Sequence, residues 1–464
     1  MLFDIDLKPQ DTLAAVDDRG NSVTYRQLSD FCKTISAIMP ERELIFSLCE
    51  NSVGSLMGYI SFYNNKDVML LLGASIDKEL LFRLISLYKP SYLWFPEKLS
   101  EEFQVRIIHK QYGYLLCKTN YVACQMHPSL ALLLTTSGST GSPKLVRHKY
   151  GNIEVNAKTV AEVFEWTTDE KAICELPIQY SMGLNVVNSH LYSGGTVLLV
   201  SNSLTSPAFW RFIKENKGTS FTGVPISYEI LMKLRFTQMD LPYLKTLAEG
   251  GGKLIDSVFS AIAKYAEMHD KRFFATFGTT ETSARMAYLP PEMATSKCGS
   301  IGHAIPGGEM FLVDENGNSI ENNNFTGELC YRGPNVTMGY AECLEDLLLG
   351  DEFCGEYRTG DIAYRDADGC YFIVGRMKRF LKLYGLRISL DECERLITEK
   401  YHIECACTGD DKRMEIYVVN NDFITEIIPY LSLKTKLIPS IFNINVIEKI
   451  PRNDSGKIVY TTLK

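Results

Sequence analysis

Apolar positions between residues 21 and 100 recur with two alternating periods. Leu28, Phe31, Cys32 and Ile35 keep the three- and four-residue spacing of a helix buried along one stripe, and Thr24-Tyr25-Arg26-Gln27 ahead of them fits a capping box. Residues 44–48 then read as a strand, 53–63 as a helix, 68–72 as a strand, 78–88 as a helix and 92–95 as a strand halted at Pro96. This β–α alternation predicts an α/β fold with a parallel sheet covered on both faces. Farther along, 130–134 predicts a buried strand, 152–164 a helix and 194–200 a strand; 314–318 is a turn between strands. Ser389-Leu390-Asp391-Glu392 fits a second capping box, for a helix running to Lys400.

Composition narrows the class. The chain has 464 residues, 45% of them hydrophobic and 22% charged, as in ordinary globular proteins. A net charge of −8 argues against a broad nucleic-acid-binding surface. Apolar runs fall short of the roughly 18–20 residues a membrane-spanning helix needs. The opening Met1-Leu2-Phe3-Asp4 lacks the basic and apolar regions of a signal peptide, so a cytoplasmic enzyme is expected. The 13 cysteines are scattered, with Cys405 and Cys407 the closest pair, and the seven histidines make no zinc spacing with them. Reduced, mostly buried thiols are expected, and no structural metal.

Chemistry concentrates first after the 130–134 strand, in Thr135-Thr136-Ser137-Gly138-Ser139-Thr140-Gly141-Ser142-Pro143-Lys144. Glycines let backbone N–H groups approach an anion, hydroxyls add donors, and the lysine adds a point charge. A polyphosphate suits such a loop better than an idle surface turn does. The Walker pattern requires Gly-Lys-Ser/Thr opening a helix; here Pro143 precedes the lysine and Leu145 follows it, so that pattern fails. Four further segments carry reactive side chains: Phe277-Gly278-Thr279-Thr280-Glu281, Tyr357-Arg358-Thr359-Gly360-Asp361, Gly375-Arg376-Met377-Lys378, and Pro451-Arg452-Asn453-Asp454-Ser455-Gly456-Lys457.

Taken together and in this order, the five segments resemble the signature motifs of the adenylate-forming enzymes: acyl-CoA synthetases, peptide-synthetase adenylation domains and luciferases. The resemblance spans roughly residues 130–457. It implies a large N-terminal domain, residues 1–377, with β-sheets covered by helices, and a small mobile α/β domain, residues 378–464. It assigns the nucleotide to Thr136, Ser137, Gly138, Ser139, Thr140, Gly141 and Lys144, to Gly250 and Gly251 of a three-glycine turn, and to Phe277, Gly278, Asp361 and Arg376. Phe277 would stack near adenine, and Asp361 would accept from the ribose hydroxyls, a task suited to a carboxylate with two oxygens. Thr280, Glu281 and Lys457 would be catalytic, with Glu281 on Mg²⁺. Lys378 would be the hinge and Gly385 would line a thiol tunnel. The stretches 325–333 and 338–340 resemble a part of the family that is mainly structural.

The implied reaction is activation of a small carboxylic acid by ATP to an acyl-AMP, with release of pyrophosphate, then transfer to coenzyme A or to the phosphopantetheine of an acyl or peptidyl carrier protein. Tyr180, Ser181, Met182, Asn185 and Thr222 are the candidate acyl pocket; Tyr180 as a plain core aromatic is the alternative. A stand-alone amino-acid-activating enzyme is the second reading, weakened because no acid follows Glu175 before the end of the 194–200 strand to hold an ammonium. A non-catalytic ATP- and acyl-binding relative and a phosphotransferase are more distant readings. Neither the acid nor the acceptor is specified by these residues.

Overall fold

The computed structural model describes residues 2–135, 144–383, 386–410, 412–420, 422–453 and 456–463. Among them, eight strands form one sheet in the order Tyr340–Ala341, Leu145–Lys149, Leu130–Thr135, Val68–Gly73, Leu44–Cys49, Tyr92–Pro96, Tyr114–Lys118, Arg106–Gln111. The four central strands run parallel, and their side chains are buried almost without alternation, because both faces are covered. The sequence pattern places these strands and their helices to within a residue or two at each end. It misses that the sheet is mixed. Its outer strands are antiparallel, and Tyr114–Lys118 and Arg106–Gln111 are joined through Tyr112 (φ 47°) and Gly113 (φ 71°), a two-residue hairpin turn of the left-handed kind.

A second, nine-stranded sheet carries six parallel strands, flanked by antiparallel Ala287–Leu289, His303–Ala304 and Ser22–Thr24. Leu13–Asp17 enters it beside Thr196–Leu199, Ala15 opposite Val197, so its parallel partner arrives some 180 residues later in the chain. Helix Val53–Asn64 lies in a core shared by side chains of both sheets, and all but its last residue are buried. Such a helix needs to be apolar or small all round. A Cβ at Gly58 would stand 2.2 Å from Trp94 Nε1, and that indole donates to Gly54 O at 3.1 Å.

Two smaller units complete the fold. Glu309–Val313, Gly327–Arg332, Glu356–Arg365 and Tyr371–Arg376 form an antiparallel sheet in which Asp361 sits opposite Arg376. Residues 381–442 enclose a core of their own, built from helices Leu390–Tyr401 and Ile424–Thr435 and a three-stranded sheet. Thr24 and Gln27 form the expected reciprocal capping box. At the second expected box only half forms: Ser389 Oγ accepts from Glu392 N, but the Glu392 carboxylate turns to Arg395, which offers a charge-assisted pair instead.

Candidate active site

Gly223, Glu249 and Phe277 end three neighbouring parallel strands of the nine-stranded sheet, and the loops beyond them converge. After Phe277 the chain doubles back so tightly that a Cβ at Gly278 would lie 1.7 Å from Ala284 O, and Met286 N returns to Phe277 O at 2.9 Å. The turn Thr280–Thr282 occupies the apex, and Ser283 (φ 55°) and Ala284 (φ 93°) hold left-handed backbone that non-glycine residues adopt at a cost of about 1–3 kcal/mol. Asn335 fixes this loop from outside: its Nδ2 donates to Thr282 O at 2.7 Å and Arg285 O at 3.1 Å, and its carbonyl accepts from Ser283 Oγ at 2.9 Å. Thr280 and Glu281 are thereby held by a strained and heavily pinned turn.

Glu281 is buried, and its Oε1 accepts from the Tyr340 hydroxyl at 2.8 Å. Tyr340 is a residue that the sequence reading leaves in a structural segment. Its strand is anchored by fully buried Arg147, whose Nε donates to Tyr340 O at 2.8 Å and Nη2 to Met338 O at 3.1 Å. Lys144, exposed, pairs with Glu342 at 2.7 Å and stands 5.5 Å from the centre of the Tyr340 ring.

Asp361 is also buried, and Arg376 Nε lies 3.2 Å from its Oδ1 across the ladder. Burial lifts the Asp361 carboxyl to about 6, against the pull of Arg376 and Lys457 and with the help of Asp391. Arg376 N in turn donates to Asp391 Oδ2 at 3.1 Å. Lys457 arrives from the far end of the chain, where its N donates to Asn453 Oδ1 at 3.0 Å. Gly456 (φ 77°) presses on helix Pro225–Lys233, a Cβ there falling 2.5 Å from Ile226 Cγ2. Burial lowers the Lys457 ammonium below its ordinary value and Arg376 repels it, while Glu281 and Asp361 draw it back up. Glu281, Tyr340, Asp361, Arg376 and Lys457 are thus one electrostatic neighbourhood.

The expected acyl-pocket residues divide. Ser181 Oγ stands 3.5 Å from Thr280 Oγ1, and Met182 Cε lies 2.5 Å from where a Gly250 Cβ would be, so both face the same convergence. Gly251 takes a left-handed φ of 79° in the turn that follows. Tyr180 precedes helix Ser181–Ser193 and is half-buried rather than part of a core. Thr222 is buried within its strand. Asn185 donates to Asn156 Oδ1 at 2.7 Å and lines a small polar cavity together with Ser181, His148 and Asn188. Thr136, Ser137, Gly138, Ser139, Thr140, Gly141 and Gly385 lie outside the described residues, and Lys378 falls in the turn Met377–Arg379. Two buried ionisable residues that the sequence reading misses, Glu249 and Arg285, sit behind the Gly250 turn.

Known proteins resemble this chain in sequence and in fold. The chain is 32% identical over 272 residues to an oxalate–CoA ligase of Arabidopsis thaliana, covering 58% of this chain and 52% of that protein. It is 29% identical over 346 residues to a 2-succinylbenzoate–CoA ligase of Listeria monocytogenes serotype 4b (strain F2365), covering 72% and 69%. The chain therefore spans about half the length of the plant relative. Among solved structures, the O-succinylbenzoate coenzyme A synthetase of Bacillus subtilis in complex with AMP superposes with a TM-score of 0.81 at 21% identity, covering 99% and 96% of the two chains. A benzoate CoA ligase of Burkholderia xenovorans LB400 gives 0.79 at 19%, covering 100% and 98%. Both structures share the fold. Residues 91–341, more than half of the chain, match the AMP-binding enzyme family, and the chain belongs to it.

Proposed function

We propose that this protein is an AMP-forming acid–thiol ligase. It activates a small carboxylic acid with ATP, releases pyrophosphate, and passes the acyl group to a thiol. One observation carries the reading: half-buried Lys457, at the far end of the chain, lies in the same electrostatic neighbourhood as buried Glu281 and Asp361 and exposed Arg376. In the first half-reaction a carboxylate oxygen of the acid attacks the α-phosphorus, and the bond to the bridging oxygen breaks as pyrophosphate leaves. Lys457 and Thr280 meet the charge growing on the phosphate oxygens, Asp361 accepts from the ribose, and Phe277 offers its half-buried ring to the base. In the second half-reaction the thiol sulfur attacks the acyl carbon, AMP leaves, and the thiol proton passes to solvent.

Magnesium takes hard oxygen ligands, often one carboxylate with phosphate oxygens and water. Glu281, oriented by Tyr340, fits that role, and no group of three metal-ligating side chains occurs among the described residues, which suits an ion held mainly by the nucleotide. When bound, the ion neutralises phosphate charge. We divide the chain at 377/378, with Lys378 as the hinge and Gly385 on the thiol path, because residues 381–442 own a separate core. Coenzyme A is the favoured acceptor, since several of the relatives are named as CoA ligases; the phosphopantetheine of a carrier protein is the other. We place the enzyme in the cytoplasm: all thirteen cysteines are free, and among the described residues no helix is long and apolar enough to cross a membrane. The test is acid-dependent pyrophosphate release across fatty, aryl, hydroxy and amino acids, with AMP as the nucleotide product. ADP would overturn the reading.

A further inference from the structure

We infer that His148 is a positioning residue for the turn that carries Thr280 and Glu281. Protonated on Nδ1, it holds Ser283, and one buried water shared with Asn185 holds His148 in turn. The inference rests on the acid-activating reading above, in which that turn is catalytic.

The contact joins two parts of the fold. His148 lies in strand Leu145–Lys149 of the eight-stranded sheet, which begins directly after Lys144, and its side chain is fully buried. Its Nδ1 stands 3.3 Å from Ser283 Oγ. Ser283 follows the turn Thr280–Thr282 and holds the left-handed backbone (φ 55°) that closes it.

The protons can be placed from two backbone carbonyls, which only accept. Ser283 Oγ donates to Asn335 O at 2.9 Å, so its one hydrogen is spent and it can only accept from His148. The His148 proton therefore sits on Nδ1, and Nε2 is a bare acceptor. Asn156 Nδ2 donates to Arg285 O at 2.7 Å, which turns the Asn156 carbonyl toward Asn185 Nδ2, also at 2.7 Å. That leaves Asn185 Oδ1 as a second bare acceptor.

Both acceptors are buried, and neither has a hydrogen-bond partner among the described residues. Their side chains line one cavity, with Ser181, Asn156, Asn188 and Ser283. Two acceptors cannot satisfy each other; a donor with two hydrogens satisfies both. About 10 Å³ of the cavity is open to the centre of a water molecule, which is about the least that one buried water needs. None of the lining residues is charged, so a neutral donor suits the site better than a cation.

The water and His148 thus meet the catalytic turn at both ends. His148 grips Ser283 behind it, while Ser181, on the cavity wall, stands 3.5 Å from Thr280 Oγ1. Burial pushes the imidazole down to about 3, so His148 brings direction to the turn without adding a charge beside the phosphate.

Histidine-selective ¹⁵N labelling reads the tautomer directly, the His148 signal being assigned by its loss in His148→Asn. At pH 7.5 the proton should be on Nδ1; a proton on Nε2 overturns the inference. In pyrophosphate release, His148→Leu should lower kcat about tenfold, with the KM for ATP within about twofold. His148→Asn, whose amide nitrogen stands where Nδ1 does, should recover most of that loss. Ser283→Ala should show the same fall in kcat, which keeps the test intact if His148→Leu does not fold. The double variant should fall no further than either single one. Unchanged kcat in a folded variant, no recovery with asparagine, or additive losses overturn the inference and leave the acid-activating reading standing. No pyrophosphate release by the wild type with any acid defeats that reading itself, a result the tautomer measurement does not touch.

Discussion

The Tyr340 hydroxyl donates to Glu281 Oε1 at 2.8 Å, tying an edge strand of one sheet to the loop that leaves the other. The Tyr340 ring meets Phe353 edge-on at 5.5 Å, so Tyr340→Phe keeps its packing and loses the hydroxyl's bond to Glu281 together with its interaction with Tyr357. Hydrogen bonds to charged groups contribute about 1.5–3 kcal/mol. We expect pyrophosphate release to fall roughly 10–100-fold, with a higher half-saturating magnesium concentration, measured by titrating the metal at fixed ATP. An unchanged magnesium dependence would remove Tyr340 from the ion's support.

Lys457 separates the two half-reactions. Lys457→Ala should slow acyl-adenylate formation about 10²–10³-fold, the usual loss for one prearranged charge contact. Thiolysis of preformed acyl-AMP should change far less, because the bond between the α-phosphorus and the pyrophosphate, where its charge is needed, is already broken. Stopped-flow assays of the separate steps read both numbers, and equal losses would contradict the role.

Asp361 links pH to both stability and binding. Its carboxyl lies near 6 in the folded protein against about 3.9 unfolded, so between these values the folded state holds more protons. Stability from this group is therefore full below about pH 4 and is lost as pH rises through about 6, by about 3 kcal/mol. Asp361→Asn should raise the melting temperature at pH 7.5 and flatten its pH dependence across that window. The same change should weaken nucleotide binding, and the wild type should lose nucleotide affinity below about pH 6 as the acceptor is protonated. A variant melting lower at pH 7.5 would reverse the assignment.

Gly456 and Ile226 form the contact that seats Lys457. Gly456→Ala adds a methyl where 2.5 Å is available and forces φ 77° on a side chain, a backbone penalty of about 1–2 kcal/mol. Adenylation should fall about tenfold or more, with thiolysis of acyl-AMP preserved. Pairing it with Ile226→Ala should recover part of the loss. An additive double variant would show that the two residues do not meet during the reaction.

Much of this was legible in local pattern. The parallel strands announce themselves as continuous apolar runs, and Thr24 with Gln27 caps its helix as read. The Glu392 half of the second cap was not, because Arg395 competes for the same carboxylate one turn on. Glu281, Asp361 and Lys457 stand in recognisable motifs, but their meeting depends on long-range packing. Tyr340 lay hidden because its partner is 59 residues away, and its orientation comes from buried Arg147, which no local spacing reveals. Glu249 and Arg285 were passed over for a similar reason: beside glycines and a Thr-Glu pair they look like surface charges, and only tertiary burial gives them meaning.

The pairing of Ala15 with Val197 has a bearing on how the polypeptide is made. On a ribosome working at about 5–20 residues per second, the strand at Leu13–Asp17 waits roughly 10–40 s for its parallel neighbour. Helix Val53–Asn64, apolar or small all round, emerges in that interval without the second wall that will enclose it. Nascent chains of intermediate length therefore carry this helix with one face uncovered until the nine-stranded sheet is complete.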